Sequence, residues 1–161
     1  MKKIIGLALG AVAMVALSGC NTTGTGNGPI NGSNGQRAYI YTTDLETNGY
    51  KISGWDTRSN ESVDLCFDGY ENYVYGRGNT YYEGTYSIKD DSDIVFRDTT
   101  DGGSYRLYTN GEITEGYTYD FGNTLPQHDV RVDSIAATSN INLCKSSGKR
   151  LRVFSTIKKS I

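Results

Sequence analysis

The chain has 161 residues, of which 20 are glycine and 13 are tyrosine, and its formal net charge at pH 7 is −2. A charge this near to zero does not fit a nucleic-acid-binding protein, because phosphate contacts need a marked excess of basic residues. The length fits one domain with a modest hydrophobic core.

An export signal is predicted at the N-terminus. Lys2 and Lys3 precede an apolar run, Ile4 to Leu17, that is shorter than the roughly twenty residues of a membrane-spanning helix. The run ends in Leu17-Ser18-Gly19-Cys20, which resembles the lipobox of bacterial lipoprotein precursors. The resemblance implies that residues 1–19 are a signal peptide and that Cys20 is lipidated with diacylglycerol and palmitate. The alternative is a secreted protein whose signal ends by chance near a cysteine.

The predicted lipid indicates where the protein works. Several acyl chains, each methylene worth about 0.8 kcal/mol on burial, hold a protein stably on a bilayer. In enterobacterial lipoproteins an Asp after the cysteine retains the protein in the inner membrane, so Asn21 favours the outer membrane by the same resemblance. We therefore expect a protein of the bacterial cell envelope, with the membrane as a partner through the N-terminal lipid.

The segment after the signal is predicted to be a tether. Residues 20–36 are mostly Gly, Asn and Thr and offer almost nothing to bury, which is typical of a flexible linker. A glycine-rich ligand loop is the alternative, but no helix follows to complete it. Residues 37–161 then form a single β domain.

Short segments of β composition follow one another through this domain. They are Arg37–Thr42, Tyr50–Trp55, Ser62–Phe67, Asn72–Tyr75, Thr80–Ile88, Asp93–Arg97, Ser104–Tyr108, Gly116–Phe121, Val130–Ile135 and Arg150–Ser155. Turn residues separate them, and none has sustained helical periodicity. The pattern predicts an all-β, antiparallel meander of about eight to ten strands, closed into a small barrel or packed as a sandwich. We favour the barrel.

Two local features are predicted within the domain. Asn110-Gly111, between Tyr108 and Ile113, predicts a type I′ hairpin because both turn positions need positive φ. The stretch Asp133–Leu143 is a candidate helical turn.

The cysteine count predicts one disulfide. With Cys20 lipidated, Cys66 and Cys144 form an even pair in a chain exported to an oxidising compartment. Two buried free thiols are the alternative. A bridge would tie a late segment of the domain to an early one.

The middle of the chain resembles a family of small envelope proteins. Tyr82–Ile88, a turn and Asp93–Phe96 are similar to successive strands of lipocalin-like or lysozyme-inhibitor lipoproteins. The resemblance implies a small barrel that binds or inhibits another molecule. Gly103-Ser104-Tyr105-Arg106 resembles the inhibitor loop with its order changed, so the inhibitor's contact residues are not assigned to this chain.

Aromatic residues are the best candidates for a binding surface. Tyrosines gather around a glycine-rich turn with one arginine: Tyr70, Tyr73, Tyr75, Arg77, Tyr81 and Tyr82. Tyr and Arg supply contact area at low entropic cost, which favours a surface for a glycan or an envelope protein. The alternative, which we prefer, is that the rings fill a core poor in aliphatic residues. Adjacent residues on a strand face opposite sides, so Tyr81 or Tyr82 must lie outside.

No pattern of catalytic residues or metal ligands is found. His128 is the single histidine, it follows Pro126 in a predicted loop, and it has no companion at metal-ligand spacing. A catalytic pair with Asp129 is a weaker hypothesis than an exposed loop histidine. Paired carboxylates for glycoside hydrolysis have no local signature. We therefore predict no enzyme activity, no catalytic residue and no cofactor.

Two charged segments have ordinary explanations. The acidic turns Asp90–Asp93 and Asp98–Asp101 offer oxygen ligands for calcium, but their spacing does not match an EF-hand and acidic residues are common in hairpin turns. The basic segment Lys145–Lys159 suits either an anionic lipid or an edge strand protected from aggregation, and we prefer the edge strand. The sequence thus predicts a non-enzymatic binding or inhibitor module of the envelope, or else a structural component of an envelope assembly.

Overall fold

The structure is a computed structural model that describes residues 30–32, 35–99, 102–122, 128–145 and 149–150. Its strands are β1 (Tyr39–Tyr41), β2 (Tyr50–Asp56), β3 (Glu61–Phe67), β4 (Asn72–Arg77), β5 (Thr80–Lys89), β6 (Asp93–Asp98), β7 (Ser104–Leu107), β8 (Glu112–Thr114), β9 (Thr118–Gly122), β10 (His128–Ala137) and β11 (Lys149–Arg150). Two 3₁₀ helices, Thr42–Glu46 and Ile141–Cys144, are the helical elements among these residues. The fold is all-β, as predicted.

Eight strands close into an antiparallel barrel. Their order is β5-β4-β3-β2-β10-β9-β7-β6, and β6 pairs again with β5 to complete the ring. Closure leaves none of these eight strands as the edge of an open sheet, which is how small β proteins avoid pairing with other chains. The barrel is thus confirmed over the sandwich.

The closure depends on β5, which changes partner along its length. Its first half pairs with β4 and its second half with β6, and Gly84 belongs to both registers, opposite Tyr73 and opposite Asp98. A Cβ at Gly84 would lie 2.0 Å from the carbonyl oxygen of Arg97. A side chain cannot fit there, so glycine lets the neighbouring backbones approach where the strand bends.

Aromatic rings fill the inside of the barrel. Phe96 stacks on Tyr105 with ring centroids 5.0 Å apart, and Tyr73 meets Phe96 edge to face at 4.8 Å. The hydroxyl of Tyr105 donates to that of Tyr73 at 2.7 Å, so this buried polar pair is satisfied internally. Tyrosine here takes the place of the aliphatic residues that the chain lacks, as the composition suggested.

One end of the barrel is covered by the segment before β2. Leu45, in the first 3₁₀ helix, is fully buried, and its carbonyl accepts a hydrogen bond from the Tyr86 hydroxyl. Beside it β1 and β8 form a separate two-stranded sheet in which Ile40 pairs with Ile113, both buried. This small sheet joins the main core rather than forming a second one.

The hairpin prediction at Asn110-Gly111 is wrong, although its backbone argument is confirmed. Both residues have positive φ, 53° and 91°. However, the next strand, β8, was not predicted, and it pairs with β1 instead of returning along β7. The turn therefore directs the chain out of the barrel. Turn chemistry fixes the local reversal but not the partner of the strand that follows.

The end of the described chain is fixed to the outside of the barrel. The predicted disulfide between Cys66 and Cys144 is confirmed, with Cα atoms 5.8 Å apart. The candidate helical turn within Asp133–Leu143 is found at the end of that stretch, as the 3₁₀ helix that starts at Ile141, because β10 continues to Ala137. A Cβ at Gly76 would lie 2.3 Å from the Cys144 carbonyl oxygen, so glycine allows this helix to lie flat on β4. β11 then runs parallel to β5, and the rest of Arg150–Ser155 lies outside the described residues.

The predicted tether is partly folded. Within residues 20–36, the backbone of Asn31 pairs with Tyr39, with N···O distances of 3.0 and 3.1 Å. Composition alone does not predict this contact, because the contact depends on pairing with Tyr39 in β1. The predicted signal peptide and Cys20 lie outside the described residues. Within the described ranges, no helix is long and apolar enough to cross a membrane.

Two substitutions test the buried hydroxyls. Tyr75 is 3% exposed, and its hydroxyl has no hydrogen-bond partner among the described residues. Tyr75→Phe should therefore raise the free energy of unfolding by about 1 kcal/mol, because a desolvated, unpaired hydroxyl is removed. Tyr105→Phe, the matched control, removes a made hydrogen bond and should lower it by about 1 kcal/mol. Urea unfolding followed by circular dichroism measures both, and the same sign for the two variants would contradict this account.

Removing the disulfide should destabilise the domain. The bridge spans 78 residues, so Cys66→Ala with Cys144→Ala should lower the free energy of unfolding by about 4 kcal/mol in the chain-entropy model. Leu143→Ala serves as a control next to the bridge, since Leu143 is half exposed and its loss should cost under about 0.5 kcal/mol. If the two changes lowered the free energy of unfolding equally, the bridge would not contribute to the stability of the domain.

Candidate functional site: an exposed aromatic flank

The predicted tyrosine surface is largely inside the barrel. Tyr73 is fully buried and Tyr75 is 3% exposed, so neither belongs to a contact surface. The reason is the period of two on β4, which turns both rings inward once the sheet closes. The preferred alternative, that these rings fill the core, is correct for this pair.

The adjacent pair on β5 divides between the two faces, as predicted. Tyr82 points inward and stacks on Tyr75 with ring centroids 5.6 Å apart. Tyr81 lies outside with Cys66 and Cys144, and the Lys145 ammonium sits 5.6 Å from its ring. The outer ring is therefore covered by the C-terminal segment.

Of the predicted tyrosines, Tyr70 is the one left largely exposed, at 82%. It stands on the β3–β4 turn, where the Asp68 carboxylate accepts hydrogen bonds from the backbone of Tyr70, Glu71 and Asn72. The turn is held rigidly, but a lone ring offers little area. Tyr70 remains a minor candidate.

Arg77 holds the rim of the barrel together. Its Nε lies 2.6 Å from the Glu61 carboxylate, and its Nη1 lies 3.9 Å from the fully buried carboxylate of Asp56. The hydrogen bond from Arg77 lowers the pKa of Glu61. Asp56 also accepts from the Arg58 backbone at 3.0 Å and from the Ser59 hydroxyl at 2.9 Å. These groups form a structural network around the β2–β3 turn.

The acidic turn considered for calcium is similarly engaged. The Asp93 carboxylate accepts from the Thr109 backbone at 3.0 Å and pairs with Arg106 at 2.5 Å. Asp90 and Asp91 have positive φ, as turn residues often do. Within the described ranges, no three His, Cys, Asp or Glu side chains are grouped as metal ligands.

His128 does not lie in a loop. Its backbone pairs with Phe121 at the start of β10, so the loop prediction is wrong. The predicted strand segment Val130–Ile135 therefore starts two residues later than β10 does. The carboxylate of Asp129 forms an ion pair with the Arg58 guanidinium at 2.5 Å.

A different set of aromatic residues is exposed together on the outer surface. We call it the aromatic flank, and its members are Arg37, Tyr39, Tyr41, Trp55, Tyr117 and Arg131. Tyr41 is 50%, Trp55 38% and Tyr117 54% exposed. An exposed group of Trp, Tyr and Arg is typical of contact surfaces.

Strand pairing brings half of the flank together. Arg131 on β10 is directly opposite Trp55 on β2 and, on its other side, opposite Thr118 on β9. With strands about 4.8 Å apart, the backbones of Trp55 and Thr118 are about 10 Å apart. Tyr117 immediately precedes Thr118, and its carbonyl accepts from Val132 at 2.9 Å. Trp55 and Arg131 therefore lie side by side, and the backbone of Tyr117 lies next to this pair.

Side-chain contacts extend the flank onto β1. The Arg37 guanidinium lies 5.5 Å from the centre of the Tyr117 ring, a cation–π distance. Two residues along the chain, Tyr39 meets Tyr41 edge to face at 5.7 Å. The side-chain hydrogen bond between Tyr39 and Tyr41 raises the pKa of Tyr39. The flank therefore contains three neighbouring pairs: Trp55 with Arg131, Arg37 with Tyr117, and Tyr39 with Tyr41.

The flank presents its polar groups to solvent. Arg131 lies 3.8 Å from Asp133, but both side chains are more than half exposed, at 58% and 55%, so the pair is weak. The indole nitrogen of Trp55 donates to Asn60 at 2.9 Å, which fixes the ring. The flank therefore combines a Trp55 ring that is held by a hydrogen bond with guanidinium groups that are exposed to solvent.

The sequence contained only a partial signal for this surface. Tyr39 and Tyr41 are two residues apart, as two rings on one face of a strand must be. Trp55 and Arg131 are far apart in sequence and are brought together by the register of β2 and β10, and Tyr117 joins the flank through its contact with Arg37.

The comparisons with known proteins add no relationship. No protein-family model, no curated protein and no solved structure matches the chain.

One substitution tests whether the hydrogen bond to Asn60 fixes the orientation of the Trp55 ring. Asn60 has a φ of 59°, which glycine also adopts readily, so Asn60→Gly removes the indole's acceptor without straining the turn. We expect lower fluorescence anisotropy of Trp55 and a change in the free energy of unfolding of under about 1 kcal/mol. Asn79→Gly, in another exposed turn, is the control and should leave the anisotropy unchanged. An unaltered anisotropy in Asn60→Gly would show that packing, not this hydrogen bond, orients the ring.

Proposed function

We propose that this chain is the precursor of a lipid-anchored lipoprotein of the bacterial envelope and that its barrel is a non-enzymatic binding module. The anchor rests on Leu17-Ser18-Gly19-Cys20, with a basic start and an apolar run before it. Asn21 supports the outer membrane as its location. The lipid is acquired at Cys20, and the barrel is held at the surface of that membrane.

The observation that carries the binding function is the aromatic flank on a barrel whose interior is packed with rings. Phe96, Phe121 and Tyr105 contact one another in the core at 5.0 to 5.7 Å, so the inner face serves stability. Contacts with other molecules then belong to the outer surface. There the flank has the composition of an interaction surface, with Trp, Tyr and two arginines.

The buried carboxylates support a non-enzymatic role. Asp56 and Asp93 accept hydrogen bonds from the backbone of turns, which is a structural use of a carboxylate. A glycoside hydrolase would need two carboxyl groups facing a common cleft.

A structural component of an envelope assembly is the second candidate. Such a protein would present an extensive flat apolar face. Among the described residues, the large exposed apolar side chains are Ile30, Tyr41, Trp55, Tyr70, Tyr108, Tyr117 and Leu143, and most of them carry a polar tip. This composition favours a binding surface over permanent assembly.

Acylation is tested by labelling. Cells expressing the full chain with radioactive palmitate should yield a labelled protein that sediments with the outer membrane, whereas Cys20→Ser should be unlabelled and leave the membrane fraction. Asn21→Asp should stay labelled but move to the inner membrane in an enterobacterial host. Wild-type protein that is unlabelled and freely dissolved would end the lipoprotein proposal.

The contact surface is tested by site-specific photo-crosslinking in intact envelopes. A photoreactive residue replacing Tyr117 should give crosslinked products. One replacing Ser87, exposed on β5 and midway round the barrel from β10, should give few. Equal yields from the two positions would remove the flank as the contact surface.

A further inference from the structure

We propose that the aromatic flank docks the barrel onto the headgroup layer of the membrane that holds its anchor. This inference rests on the lipid anchor of the proposed function and names the partner of the same surface. The docked molecule would turn β2, β10 and β9 towards the lipid. The strands β4, β5 and β6, on the other side of the ring from β10, would face away.

The first argument is the chemistry of the flank. Trp and Tyr concentrate at membrane–water interfaces, because the ring prefers the apolar side and the polar tip remains hydrated. Trp55, Tyr117 and Tyr41 are such rings, each between about a third and a half exposed. Arg37 lies against Tyr117 and Arg131 is opposite Trp55, and a guanidinium donates two parallel hydrogen bonds to a lipid phosphate.

The second argument is where the tether meets the barrel. Asn31 is hydrogen-bonded to Tyr39, so the described chain begins at the edge of the flank itself. Ile30, 36% exposed, is beside it. From Cys20 to Ile30 the chain can span at most about 35 Å, which keeps this edge of the barrel near the headgroups.

The third argument concerns affinity. Once the acyl chains are inserted, contact between the flank and the bilayer is intramolecular in effect, at an effective concentration of the order of millimolar. A surface of a few rings and two arginines then suffices, although the same surface would bind a free partner weakly. A distant glycan or protein would gain no such advantage from the tether.

The native chain contains its own probe, because Trp55 is its single tryptophan. The lipidated protein is incorporated into vesicles of phosphatidylethanolamine and phosphatidylglycerol, with or without lipid carrying a spin label at headgroup depth. We expect the protein to float with the vesicles, the Trp55 emission to shift to shorter wavelength, and the spin label to quench it at least twofold. Arg37→Gln with Arg131→Gln should float equally and lose at least half of the quenching.

The control moves the probe to the opposite side. Trp55→Phe with Ser87→Trp places the tryptophan on β5, and this variant should float with its emission unquenched. Flotation with Trp55 emission as in buffer would overturn the docking and leave the anchor intact. A response that appears only when peptidoglycan fragments or envelope proteins are added would assign the flank to them instead. Failure to float would remove the anchor, and the docking with it.

Discussion

The structure depends on closing eight strands around a core of tyrosines. Closure requires β5 to pair with β4 and then with β6, and Gly84 permits the close backbone approach where it changes partner. Once the ring is closed, every second side chain must be packed inside. The chain meets this requirement with large rings rather than many aliphatic residues, and a pair such as Tyr73 and Tyr105 satisfies its hydroxyls mutually.

The same constraint decides what is available for function. Inward positions are used for packing, and the buried charges at the rim stabilise turns, as Asp56 and Arg77 do. What remains is the outer face, divided between two regions. The 3₁₀ helix that ends at Cys144 lies on β3 and β4 through the disulfide, whereas Trp55 on β2, Arg131 on β10, and Arg37 and Tyr117, just before β1 and β9, are exposed. A protein with a filled barrel can therefore act through that display.

Local patterns predicted much of the fold. Strand composition and turn residues located nine of the eleven strands to within a few residues, and the even pair of cysteines predicted the bridge between Cys66 and Cys144. These features depend on residues close in sequence or on simple pairing. The strand β8 was not predicted because it has only three residues, and they form a strand through their pairing with β1.

The candidate site was less predictable for a physical reason. Clustering in sequence drew attention to Tyr73 and Tyr75, but the direction of a ring depends on which face of the strand is enclosed. The flank, in contrast, is assembled from strands far apart in the chain. Its recognition required the register that sets Arg131 opposite both Trp55 and Thr118.

Alkaline titration tests the tyrosine-filled barrel most directly. Burial raises the pKa of Tyr105 well above its ordinary value, raises that of Tyr75 and raises that of Tyr50 to about 12. Since these values exceed the unfolded value near 10, the stability that the neutral rings provide is complete below about pH 10 and is lost as the pH rises through the folded-state values. Tyrosinate absorbance should therefore rise in two phases, the second together with loss of the β-sheet circular dichroism. Ionisation of all tyrosines in one phase near pH 10, with the β-sheet signal unchanged, would contradict the account.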